Sequence, residues 1–108
     1  MKSTFRILFY VKKDKQRADG TFPIMCRITI DGQASRLYTK TNVNLNVWNA
    51  KTGAAIGKSK EAVEINALLD TIKTSIHNVY HDLQTKENNV NAERVKNLFL
   101  GIEVKHPT

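Results

Sequence analysis

Two arginines, Arg27 and Arg36, flank an Asp31-Gly32 dipeptide at equal reach. Asp-Gly between two β-like runs is the strongest short hairpin signal in a sequence. A two-residue turn there pairs Ile30 with Gln33 and fixes every pair behind it. Cys26 then faces Leu37 and Ile28 faces Ser35 on one side of the ribbon. On the other side Arg27 lies opposite Arg36, Met25 opposite Tyr38, and Pro23 opposite Lys40. Like charges directly opposite on a sheet cost roughly a few tenths of a kcal/mol or more. A bound phosphate, or a guanine edge taken by one arginine, relieves that repulsion. The spacing therefore points to anion recognition rather than to covalent chemistry.

The other reactive side chains do not assemble into a catalytic set. Tyr10 and Tyr38 fall in strand-like runs, and Tyr80 falls on the apolar side of a helix-like run. None has His and Arg at useful spacing around it. Cys26 alternates with Ile24 and Ile28, as a small core residue does. His77 and His81 stand four residues apart, a spacing that binds metal when a third ligand exists; none is apparent, and solvated surface histidines are expected. Gly53, Gly57 and Lys58 do not space as a phosphate loop. The expectation is a chain without catalytic residues, without a metal and without a cofactor.

The elements that must carry the arginines follow from periodicity. Residues 4–13 (TFRILFYVKK) alternate, with Phe5, Ile7, Phe9 and Val11 on one face and Arg6, Leu8, Tyr10 and Lys12 on the other. Residues 14–21 are a polar loop with an Asp-Gly near its end. Residues 22–30 alternate again, with Phe22, Ile24, Cys26, Ile28 and Ile30 inward. Residues 34–43 form a third strand. Residues 42–58 read as a connector, in which Trp48 anchors the chain to the sheet. Ser59 is the expected N-cap of a long helix, with Glu61 in its first turn. Ala62, Ile65, Leu68, Leu69, Ile72, Ile76, Val79, Tyr80 and Leu83 then recur at three- and four-residue steps, giving about six to seven turns. The N-terminal half of that helix is expected to cover the sheet and the rest to pack on a second helix. Asn88-Asn89 breaks it. Asn91 starts the short second helix, Val90 staples onto Val95, Gly101 ends it, and residues 103–108 read as a tail.

The predicted fold class is α+β: a three-stranded antiparallel sheet packed against a long C-terminal helix, followed by a short helix. Residues 1–58 form the sheet and connector, 59–87 the long helix, and 88–108 the short helix and a tail leading onward. With strand 2 central, the outer face carries Arg6, Tyr10, Lys12, Arg27, Thr29, Arg36, Tyr38 and Lys40. These eight are the candidate binding residues.

Charge supports the same surface. The chain of 108 residues carries a net charge of +7. Residues 1–58 hold eleven Lys/Arg against three Asp, and residues 59–108 hold six against seven Asp/Glu. A basic sheet is the footprint of a polyanion partner. One cysteine excludes an internal disulfide. No apolar run approaches the roughly 20 residues of a membrane span, and no signal-peptide pattern opens the chain. A cytoplasmic, nucleoid-associated protein is expected. Anionic lipid is disfavoured because the long helix is close to neutral.

The run FRILFYVKK, a basic loop ending ADGT, PIMCRITIDG, a third strand running to VNLNVWN, and KSKEAVEINALLDTI resemble the N-terminal arm-type DNA-binding domain of tyrosine recombinases. These are integrases of conjugative transposons and phage-like elements. The resemblance covers residues 5–101, with Asn46-Val47-Trp48-Asn49 and Ile65-Asn66 among its most specific parts, and NAERVKNLFLG fits it too. It implies a three-stranded sheet entering the major groove of arm sites in double-stranded DNA, with contacts from Arg27, Arg36 and Tyr38. It implies a non-catalytic module, monomeric by itself, followed by a core-binding region, in an enzyme whose protomers meet through other domains. Relatives often carry Ser-Thr-Gly where this chain has Tyr38-Thr39-Lys40; Lys40 in place of glycine alters the turn and adds a phosphate contact.

Two other functions fit the same residues less well. A protein-interaction module would dock a partner on the long amphipathic helix. An RNA reader would need more aromatics on its sheet face than Tyr10 and Tyr38.

Overall fold

The computed structural model describes residues 4–87 and 90–105, with side chains described as far as 101. Its elements are β1 (Phe5–Val11), β2 (Phe22–Ile30), β3 (Gln33–Val43), a 3₁₀ turn (Leu45–Val47), β4 (Trp48–Asn49), β5 (Ala54–Ala55), α1 (Lys60–Lys86) and α2 (Ala92–Lys105). The sheet is antiparallel in the order β1-β2-β3, with β2 central. The fold is therefore α+β, with the sheet and helices expected from the periodicity.

The β2–β3 turn has the backbone that Asp-Gly favours. Asp31 and Gly32 both take positive φ, 52° and 83°, the signature of a type I′ turn whose twist matches its strands. The Asp31 carboxylate also accepts a hydrogen bond from the Thr4 N–H at 3.0 Å, tying the turn to the start of β1.

Alternation along the strands sends Ile24, Cys26, Ile28, Ile30, Leu37 and Val43 into one core with the apolar stripe of α1. Ser59 caps α1 by accepting from the Ala62 N–H at 3.2 Å. Asn91 caps α2 by accepting from the Arg94 N–H at 2.7 Å. Val90 packs against the core that buries Val95. Arg94 and Glu87 join the two helices at 2.8 Å, and that hydrogen bond holds the Glu87 carboxyl below its ordinary range.

Several expectations need correction. The long helix packs on the sheet and on the short helix, and it makes two further contacts that the periodicity does not foresee. Its N-terminal part holds β5: Asn66 donates to the Ala55 carbonyl at 3.1 Å and accepts from the Ala55 N–H at 2.8 Å. Its later part meets β1, where Tyr80 stacks on Phe5 with centroids 4.0 Å apart. The short helix itself lies against β3 and β2. It also continues through Gly101 to Lys105. Glycine costs about 1 kcal/mol in a helix interior without forbidding it, and Leu98, Phe99 and Leu100 hold that turn to the core. Leu68, expected on the apolar stripe, is 39% exposed. The connector folds into the 3₁₀ turn and the small β4–β5 hairpin, with Trp48 buried as an anchor. The Asn88-Asn89 break lies outside the described residues; α1 ends at Lys86.

Candidate nucleic-acid interface

The outer face of the sheet is built in cross-strand rows. Arg6, Thr29 and Ala34 form one row; Leu8, Arg27 and Arg36 the next; Tyr10, Met25 and Tyr38 the third. Arg27 does lie directly opposite Arg36. Lys12 follows β1, donating its N–H to the Pro23 carbonyl at 3.0 Å. The three strands contain no acidic residue. Six of the eight candidate residues thus sit in one ladder, with Lys12 at its end.

The eighth, Lys40, does not sit opposite Pro23. The register shifts between Pro23 and Met25, and Pro23 pairs with Asn42 instead. Two extra residues enter β3 there. A buried hydroxyl makes this possible: Thr39 donates to the Ile24 carbonyl at 2.8 Å and accepts from the Thr41 N–H at 3.3 Å. It satisfies backbone groups that the interrupted ladder would otherwise strand. On the outer side the Tyr38 hydroxyl donates to the Asn42 carboxamide oxygen at 3.0 Å, fixing the ring across the bulge. Lys40 takes φ 65°, the conformation a glycine adopts without strain. The alternation does not predict this bulge, because an inward Thr at position 39 fits a regular strand as well.

Two apolar residues share the face. Leu8 is 39% exposed in the arginine row, and Met25 lies between the two tyrosines. Alternation already placed both outward; apolar contact with a thymine methyl group is a known use for such positions.

The remaining reactive groups are not among the residues of these three rows. Cys26 is fully buried, and burial pushes its thiol up to about 12. His77 is not a fully solvated histidine: its ring packs edge-on against Phe5, centroids 4.9 Å apart. Burial first, then the neighbouring His81 and Lys73, lower its pKa. His81 is exposed. Among the described residues no three of His, Cys, Asp and Glu gather as metal ligands. Nor is any described helix long and apolar enough to cross a membrane.

A basic, acid-free ladder on a three-stranded sheet backed by helices has a counterpart among protein families. The model of the Arm DNA-binding domain matches residues 9–96. The chain belongs to that family. No curated protein and no solved structure matches it. The family comprises N-terminal arm-type DNA-binding domains of tyrosine recombinases and integrases, so DNA binding is the role of this fold, and the arm domain is non-catalytic. The matched span takes in the end of β1, all of β2 and β3, the β4–β5 hairpin, α1 and the start of α2.

Proposed function

We propose that this arm domain reads arm-type sites by setting the outer face of its sheet into the major groove of duplex DNA. The observation that carries the reading is the central row, where two arginines stand side by side on a face without a carboxylate. An anion or a hydrogen-bond acceptor on the partner turns that pairing favourable. The dimensions agree. Three strands about 4.8 Å apart span about 10 Å, and the major groove is about 12 Å wide.

The roles divide by chemistry. Arg27 and Arg36 have the bidentate geometry that guanine O6 and N7 accept. Arg6, Lys12 and Lys40 serve phosphates, and Thr29, Tyr10 and Tyr38 supply hydroxyl contacts to backbone or base edges. The chain acts as one module of a tyrosine recombinase in the cytoplasm, monomeric by itself, and meets other protomers through further domains.

The test is binding of duplex DNA by Arg27→Ala and Arg36→Ala. Each should weaken binding by about 1–3 kcal/mol where the arginine reaches a base. Unchanged affinity in both, with thermal unfolding intact, removes the sheet from the interface. The alternative, a partner docked on α1, is not favoured: Ile65, Leu69, Ile72, Ile76, Val79, Tyr80 and Leu83 are already buried.

A further inference from the structure

A second cationic surface lies at the β1 edge. A cleft of about 540 Å³ there is lined by Arg6, Arg27 and Thr29 from the outer face, Phe5 from β1, and Lys73 and His77 from α1. No carboxylate lines it. Lys73 is exposed, and His77 is half-buried on Phe5. The helix that backs the sheet thus sends two nitrogen donors round the strand edge, toward the arginines of the face. A sheet about 10 Å wide in a groove about 12 Å wide leaves each edge strand against a phosphate ridge.

We propose that this cleft holds a backbone phosphate of the same duplex, so that the DNA surface continues round β1 onto α1 through Lys73 and His77. The proposal rests on the sheet reading above. It adds two residues from an element that otherwise only supports the sheet. It also gives the interaction a pH dependence. The titratable and charged groups around His77 are Lys73 and His81 on α1, with Arg6 of β1 and Arg27 of β2 lining the same cleft. Without an anion, partial burial and then His81 and Lys73 oppose protonation of the ring. A phosphate reverses the balance, so the imidazole pKa is higher in the complex than in the free protein. The added affinity is then present in full below the free pKa and fades as pH rises through the bound one.

The experiment measures affinity of the whole chain for a mixed-sequence duplex of about two helical turns, about 20 base pairs. Salt is varied between about 50 and 200 mM, and pH is taken across the ordinary histidine range. Lys73→Gln should weaken binding about threefold to tenfold and lower the slope of log affinity against log salt by about one. His77→Gln should remove most of the pH dependence, and His81→Gln should keep it. Arg36→Ala, on β3 and outside the cleft, reports on the sheet separately. Loss in Arg36→Ala with no change in Lys73→Gln leaves the sheet reading standing and overturns the cleft. No loss in Arg36→Ala overturns the sheet reading, and the proposal with it. Inorganic phosphate is titrated as a third arm. If it fills the cleft while Lys73→Gln binds DNA with an unchanged salt slope, the site takes free anions and the proposal fails. Thermal unfolding of His77→Gln checks that loss of the Phe5 ring contact has not disturbed the sheet.

Discussion

Lys40 is held in a left-handed conformation that costs a non-glycine residue about 1–2 kcal/mol. Glycine removes that cost but gives back roughly 0.5–1 kcal/mol in unfolded-chain freedom. Lys40→Gly should therefore raise stability by about 0.5–1 kcal/mol in a denaturant titration, while DNA binding weakens and its salt slope falls by about one. A stabilised variant with undiminished DNA binding would remove Lys40 from the interface. Cys26 gives a pH prediction. Its folded pKa, about 12, stands above the unfolded value, so the folded chain keeps a proton that the unfolded chain releases. Its contribution is whole below the unfolded thiol pKa and is lost as pH climbs toward about 12. Stability should fall by about 1.4 kcal/mol per pH unit in that alkaline window, and Cys26→Ala should flatten the fall; equal slopes in both chains would contradict the burial. At this scale the sequence made Arg27 opposite Arg36 legible, because a two-residue turn leaves one register. It hid the displacement of Lys40, because a bulge depends on where a hydroxyl such as that of Thr39 finds a carbonyl in the folded sheet.

Among the elements, the β4–β5 hairpin is the one whose position depends most on single contacts. Asn66 of α1 grips Ala55 as a neighbouring strand would, with one bond given and one accepted. At its turn, a Cβ on Gly53 would lie 2.9 Å from the Phe9 carbonyl oxygen, and φ is 66°. The hairpin thus sits close over β1. Asn66→Ala should cost about 1–3 kcal/mol, since it leaves two partly buried backbone groups of Ala55 without partners. Hydrogen exchange should show Ala55 and Ile56 losing protection before β2 does; uniform loss across the chain would contradict a local role. Long periodic elements were legible: seven turns of α1 and nine alternating residues of β2 outweigh local accidents. Two-residue strands carry no period, so β4 and β5 were invisible in residues 42–58. The glycine at 101 looks like a stop because helix ends favour it, yet packing of Leu98, Phe99 and Leu100 just before it holds the turn to the core.

Across the whole molecule, charge and layering coincide. The basic half forms the sheet, and the near-neutral half forms the helices that cover its inner face. A +7 chain with its excess concentrated in residues 1–58 should bind DNA with steep salt dependence, about 0.9 in log–log slope for each phosphate neutralised. The DNA sequence preferred is set by the few residues that reach base edges, and charge alone does not encode it. The most direct measurement is an NMR titration of the ¹⁵N-labelled chain with a mixed-sequence duplex at low and at physiological salt. Shifts are expected at residues 6–12, 27–29 and 36–40, with only the stretch around Lys73 and His77 responding on α1, and all of them shrinking as salt rises. No shifts on the sheet, or shifts spread along α1 from Ile65 to Leu83, would contradict DNA binding through the sheet face.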